Sequence, residues 1–274
     1  MTELEPINPQ IPDRLRTLTP ARVALHRTGI SITTGELLDF QLAHARARDA
    51  VHAVLQPASL LAELRSLLNP EQGPSDVLLL HSAAIDRQTY LQRPDLGRKL
   101  DAASLQRLQD YPPTDKPFDL AFVLADGLSA LAIERHAVPL LTALLSALSQ
   151  STPDLRLAPI CVVEQGRVAV ADEVAHALNA ALVVMLIGER PGLSSPDSLG
   201  AYITWRPQPN RTTDADRNCI SNIRSEGLSY PQAAARLLHY IHHARARQLT
   251  GVALKDPDLE KPDAPSRSIQ EETA

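Results

Sequence analysis

Glycine is scarce in this chain, with 11 in 274 residues against 22 prolines. No G-x-G-x-x-G and no G-x-x-x-x-G-K-[ST] occurs, which excludes the usual backbone loops that cradle dinucleotides and triphosphates. Aromatics make up only 3%. Leu, Val and Ala must therefore fill the core, which favours helices packed on a sheet. The only thiols, Cys161 and Cys219, lie far apart with no CxxC pair. That argues against a disulfide framework or zinc ribbon and suits a reducing cytoplasm. No apolar run approaches the roughly 20 residues that span a bilayer, so no membrane partner is expected. The N-terminus, with Glu3, Glu5 and prolines at 6, 9 and 12, lacks a signal-peptide core. A net charge of -5 gives no electrostatic reason to expect nucleic acid.

What is present is an ordinary soluble composition, 44% hydrophobic and 22% charged, in a chain long enough to bury a real core. Residues 1–20 are punctuated by proline and read as an extended arm. Residues 21–112 form a mainly helical region: a helix from Thr34 that Pro57 stops, a second over Ser59 to Leu68, and a short strand over Asp76 to His81. A polar loop from Arg87 follows, and another helix starts near Asp101. After Pro112-Pro113 the pattern changes. Strands are expected at Phe118 to Ala125, Ile160 to Val163, Val168 to Val170, Ala181 to Ile187 and Leu199 to Trp205. Helices are expected at Ala130 to Ser149, Ala171 to Leu178 and Pro231 to Leu249. Alternation of this kind predicts an α/β fold over 113–254, with a mostly parallel sheet covered on both faces. The tail, 255–274, with three prolines and six acidic residues, is expected to be disordered.

Ligands of such sheets bind beyond the carboxyl ends of the strands. Polar segments at Asp126, at Glu189 and over Asp214 to Arg224 all follow expected strands, which suggests one shared crevice. Each also has a plainer reading. Asp126-Gly127-Leu128-Ser129 fits a helix-capping turn as well as a ligand contact from a helix N-terminus. Glu189-Arg190-Pro191-Gly192 fits a turn with an ion pair as well as a carboxylate held to accept hydrogen bonds. Thr212 to Arg224 is polar enough for a solvated loop, although Cys219, Ile220 and Ile223 require part of it to be buried. Cys219 has no neighbouring His to make a nucleophilic pair and by itself reads as a small core residue. His239, His242 and His243 have metal-binding spacing on the last helix, but no carboxylate accompanies them and a solvated face is the better reading. The arginine-rich loop Arg87 to Arg98 suits an interface or an internal ion-pair network about equally.

Taken in order, several segments resemble the small subunit of ethanolamine ammonia-lyase. They are Thr19-Pro20-Ala21-Arg22; Tyr90-Leu91-x-Arg93-Pro94-Asp95-Leu96-Gly97-Arg98; Ala125-Asp126-Gly127-Leu128-Ser129-Ala130; Gly166-Arg167-Val168; Leu186-Ile187-Gly188-Glu189-Arg190-Pro191-Gly192-Leu193; Asp216-Arg217-x-Cys219-Ile220-Ser221-Asn222-Ile223; and Gly251-Val252-x-Leu254-Lys255. They cover the chain from about residue 19 to 255.

The resemblance implies a Rossmann-like domain over 113–254 that contacts adenosylcobalamin. The partner it implies is a large subunit, which holds ethanolamine and most of the catalytic groups in a hetero-oligomer. In that family, homolysis of the cobalt–carbon bond gives an adenosyl radical, and ethanolamine is converted to acetaldehyde and ammonia. The cofactor-contacting positions carry over to Val168, Glu189 and Cys219. Val168 would pack on an apolar part of the cofactor, Glu189 would accept hydrogen bonds from corrin amides, and Cys219 would permit close approach. No catalytic residue and no metal ligand carries over. Val174-Ala175-His176 and Asn179 depart from the family pattern, Asn179 standing where glycine is common, which leaves the shape of that turn open. No Asp-x-His-x-x-Gly motif occurs, so no local histidine is set up to replace the cofactor's own base on cobalt.

The competing readings are a cobalamin-binding or assembly module without catalysis and a stand-alone nucleotide-using α/β enzyme. Missing phosphate loops and the lack of a nucleophile–base pair argue against the second. The resemblance leaves open free cytoplasm against a bacterial microcompartment. A proline-broken N-terminus without an amphipathic targeting helix favours the cytoplasm.

Overall fold

The computed structural model describes residues 10–19, 21–68, 74–112 and 116–255. Residues 1–9 and, except for Lys255, the expected disordered tail lie outside them. Within the segment expected as an extended arm, Gln10–Leu18 forms a helix, α1. Pro12 falls in its first turn, where backbone N–H groups need no intrahelical partner, and so permits it. A hairpin of β1 (Arg27–Thr28) and β2 (Ser31–Ile32) precedes α2 (Thr34–His52). Only Ala50 of α2 is buried. Pro57 ends the intervening stretch and starts α3 (Pro57–Arg65), serving as a first-turn residue. β3 (Val77–His81) follows, then α4 (Arg87–Gln92) inside what reads as a polar loop. Asp86 makes that helix possible by accepting from Thr89 N at 2.7 Å, and Asp101 caps α5 (Ala102–Gln109) through Ser104 N in the same way.

The remaining elements are β4 (Phe118–Ala125), α6 (Ala130–Ser151), β5 (Ile160–Glu164), α7 (Val170–Ala177), β6 (Ala180–Gly188), β7 (Leu199–Trp205), β8 (Arg217–Ile223) and α8 (Tyr230–Arg247). The six-stranded sheet has the order β3-β5-β4-β6-β7-β8. Its first four strands run parallel, and β7 and β8 add antiparallel pairs at one edge. This is the mostly parallel α/β sheet that the alternating pattern predicts, with β3 from the region before 113 as its edge strand, and it is compatible with the Rossmann-like domain that the resemblance implies.

Two cores sandwich the sheet. On one face Leu120, Phe122, Leu124, Val184 and Leu186 meet Ile133, Leu140, Leu141 and Leu144 of α6 and Leu237 and Ile241 of α8. On the other, Val123, Cys161, Val163, Val183 and Met185 meet Val170, Val174 and Ala175 of α7. Alternate residues of each strand serve opposite faces, which is why the central strands read as continuous apolar runs. By length and apolar content α6 alone among the described helices would suit a bilayer, but its apolar residues are committed to the sheet and α8. Each buried leucine there contributes about 2 kcal/mol.

Two readings beyond residue 113 differ. Val168 to Val170 is not a strand: residues 168–169 are a turn and Val170 opens α7. Arg167 N donates to Gly97 O at 2.7 Å, which pins the loop away from any strand partner. Conversely, the polar stretch after Asp214 contains strand β8, because its backbone pairs with β7 through Thr204↔Arg217 and Tyr202↔Cys219. Asn179 takes φ 52°, the left-handed conformation that glycine adopts freely and asparagine tolerates.

Candidate functional site

β4 leads into α6 on one face and β5 into α7 on the other. The loops after these neighbouring strands therefore diverge, and the gap between them is where open α/β sheets commonly receive ligands. Here Arg87 of α4 fills that gap. Its Nη1 donates to Gly127 O at 2.7 Å and its Nε to Val51 O at 2.8 Å, with Gln165 Oε1 at 3.4 Å. Tyr90, one turn on and 1% exposed, has the Arg87 and Arg167 guanidinium carbons 4.8 Å and 4.5 Å from its ring centroid. Arg167 Nη2 also donates to Tyr90 O at 2.9 Å. Gly97 is needed for this stack, since a Cβ there would lie 3.1 Å from both Arg167 Cγ and Tyr90 Cδ2.

Asp126 lies behind Arg87 and is completely buried. Its Oδ1 accepts from Gly127 N at 3.0 Å and Gly166 N at 3.2 Å. Burial pushes its carboxyl up to about 6, and the Arg87 guanidinium, 3.7 Å away, only partly offsets that. Asp126 thus neither caps α6 nor faces a ligand; it braces the loops after β4 and β5. Ser129 likewise donates to Pro196 O at 2.8 Å rather than capping.

With the gap filled, the accessible part of the carboxyl edge shifts towards β6, β7 and β8. Asp172 in α7 forms a two-pronged pair with Arg217, both N–O distances 2.7 Å, and Thr204 Oγ1 accepts from Arg217 at 3.1 Å. This pair ties α7 down over the lower half of the face. Beyond it the same face stays uncovered. Directly paired residues share a face, so Ile187 with Gly200, and Met185 with Tyr202 and then Cys219, mark out its floor. A cavity of about 420 Å³ opens there, lined by Tyr90, Leu128, Arg167, Val168, Glu189 and Tyr202 among others.

The three residues expected to contact a cofactor all border this floor. Val168, half-buried in the turn before α7, presents an apolar side chain. Glu189 follows β6, its backbone N–H bonded to Ser198 O at 2.9 Å. Its Oε2 accepts from Ser198 Oγ and from Asn222 N, the latter at 3.1 Å. Among the described residues no hydrogen bond reaches Oε1. Ser198 and Asn222 hold the carboxylate. Gly200 leaves room for it, because a Cβ there would come 3.1 Å from Glu189 Cγ and Oε1. Cys219 is exposed on β8, with Ser221 Oγ 3.5 Å from its sulfur. Its surroundings push the thiol up, chiefly by desolvation, so the group stays neutral.

The cavity brings Val168 and Glu189 together, and Tyr202 joins them to Cys219, its cross-strand partner. Two expected contributors stand apart. Asp126 is sealed inside, and Asp214–Asp216 lies at the opposite end of β8, because that strand runs from Arg217 towards the carboxyl edge. Tyr202 escapes the sequence reading because Leu199–Trp205 scans as a buried strand. The signal is there in the alternation of Gly200, Tyr202 and Thr204 against Leu199, Ala201 and Ile203. His239, His242 and His243 lie on α8, which packs on the other face. No group of three or more His, Cys, Asp or Glu among the described residues is placed to hold a metal.

Comparison with known proteins bears on this geometry. The family described as the ethanolamine ammonia-lyase light chain matches residues 10–255. An ethanolamine ammonia-lyase small subunit from Pseudomonas aeruginosa is 57% identical over 251 residues, 91% of this chain and 88% of that protein. One from Pseudomonas fluorescens is 56% identical over 256 residues, covering 93% and 90%. One from Pseudomonas syringae pv. tomato is 56% identical over 252 residues, covering 92% and 84%. With a match that spans nearly all described residues, the chain belongs to the ethanolamine ammonia-lyase light chain family.

Proposed function

We propose that this chain forms one wall of an adenosylcobalamin site completed by a large subunit, and that the pair converts ethanolamine to acetaldehyde and ammonia. The observation that carries this reading is the convergence of Val168, Glu189 and Cys219 on the uncovered half-face of the sheet. The donor set fits cobalamin. Corrin carries side-chain amides whose NH2 groups need acceptors, and Glu189 offers Oε1 as one. Gly200, Cys219 and Ser221 keep the floor shallow enough for a broad ring, and Val168 gives it an apolar contact.

When bound, the cofactor supplies the carbon radical that abstracts hydrogen from ethanolamine. This chain's residues bind and orient. The half-buried Glu189 keeps its position through Ser198 and Asn222, so a ligand amide meets a preorganised acceptor. As the family resemblance implies, the groups that touch ethanolamine belong to the large subunit. The exposed Cys219 and buried Cys161, both unpaired, suit a reducing cytoplasm, and we place the complex there, free or within a microcompartment.

Ammonia release from ethanolamine tests the reading, with adenosylcobalamin present and with this chain alone, the large subunit alone, and both mixed. Activity only in the mixture is expected. An inactive but correctly assembled mixture would favour a cobalamin-binding or assembly module instead. In the assembled pair, Glu189→Gln should raise the Kd for adenosylcobalamin about tenfold or more, since it removes a charged acceptor. An unchanged Kd removes Glu189 from the site.

A further inference from the structure

We propose that Tyr202 is a further cobalamin-binding residue, its phenol hydroxyl donating to the carbonyl oxygen of a corrin side-chain amide beside the acceptor Glu189. The inference rests on the cobalamin reading above and adds to it a residue for which neither the sequence motifs nor the family resemblance offers a role.

Tyr202 sits at the centre of the uncovered floor. It pairs with Met185 on one side and Cys219 on the other, and it lines the same cavity as Val168 and Glu189. Only five tyrosines occur in the chain, and the other one lining this cavity, Tyr90, is held between two guanidinium groups with 1% of its surface exposed. Tyr202 is instead half-buried with its ring open to the cavity. Its ring packs against the apolar core on that face, and the polar side chain beside its hydroxyl is Cys219, whose sulfur is a weak hydrogen-bonding group that a better acceptor displaces at little cost. Burial raises its phenol above the usual range, with further contributions from Cys219 and the Glu189 charge. The hydroxyl is therefore a donor at every working pH. A neutral donor next to a carboxylate acceptor is the complement of a primary carboxamide, which needs a donor for its oxygen and an acceptor for its NH2. The same pair discriminates against a carboxylate at that place, because Glu189 would repel it.

The test uses the assembled complex of both subunits and measures the Kd for adenosylcobalamin by absorbance titration, with a melting curve for each variant. Tyr202→Phe, which removes only the hydroxyl, is expected to raise Kd about tenfold with the melting temperature unchanged. A lowered melting temperature with Kd within twofold of wild type assigns Tyr202 a structural role and overturns the proposal. Glu189→Gln is measured alongside. If it weakens binding and Tyr202→Phe does not, the Tyr202 inference fails and the cobalamin reading stands. If neither moves Kd, the cobalamin reading itself fails and this inference with it. Should Tyr202→Phe prevent assembly, a ring-fluorinated tyrosine at 202 keeps the shape and strengthens the donor. Tighter binding is expected from it, and unchanged or weaker binding counts against the proposal.

Discussion

Asp126 shows how much a single side chain beside the site can cost the fold. Its carboxyl stands at about 6 in the folded chain against 3.8 for an ordinary aspartate. Between about pH 4 and 6 the folded state keeps a proton that the unfolded state has released, so Asp126 makes stability fall as pH rises through that window. A shift of this size corresponds to about 3 kcal/mol. Asp126→Asn cannot titrate and retains an oxygen for Gly127 N and Gly166 N. Urea denaturation at pH 4.5, 5.5, 6.5 and 7.5 should show wild type losing stability relative to Asp126→Asn by up to about 3 kcal/mol as pH rises. A pH-independent difference would contradict this. Arg217 illustrates the opposite risk. Removing it leaves the buried Asp172, whose carboxyl burial already pushes up, without its bidentate partner. Arg217→Ala should cost about 3–5 kcal/mol by the same measurement.

Among the elements, close packing of loops decides where side chains fit. Gly188 at the end of β6 has no space for a Cβ, which would lie 2.0 Å from Ser129 O and 2.5 Å from Asp126 O. Backbone blocks it, so Gly188→Ala should destabilise by about 2 kcal/mol or more. At Gly200 the obstacle is the far end of Glu189, a side chain that can move. Gly200→Ala should melt within a few degrees of wild type yet weaken adenosylcobalamin binding in the complex. Equal binding would separate Gly200 from the site. The same scale explains what the sequence reveals. Phe118–Ala125 and Leu199–Trp205 are legible to the residue, because continuous or alternating apolar runs bounded by turn residues have few alternatives. β8 is not, because Arg217, Cys219 and Ser221 on one of its faces are polar and Asn218 on the other is a buried polar residue, bonded to Gly251 O and Leu254 O. Only the neighbouring strand makes it a strand. Val168 to Val170 misleads in the other sense: three apolar residues suit either a strand or the start of an amphipathic helix.

For the whole molecule, the consequence is a division of the carboxyl edge. The N-terminal region inserts Arg87 and Tyr90 where the sheet's strand order reverses, and this leaves the β6–β8 half-face as the accessible surface. Strand-end reasoning locates that edge from sequence, and the family resemblance selects Val168, Glu189 and Cys219 from it. Neither reveals that Asp126 is sealed off, because the residue that seals it lies 39 positions upstream in another element. The most direct test of this arrangement is hydrogen–deuterium exchange of the assembled two-subunit complex with and without adenosylcobalamin. The account predicts cofactor-dependent protection in this chain confined to residues 166–170, 187–190, 200–203 and 219–222. Protection absent there, or centred on the amino edge of the sheet, would contradict it.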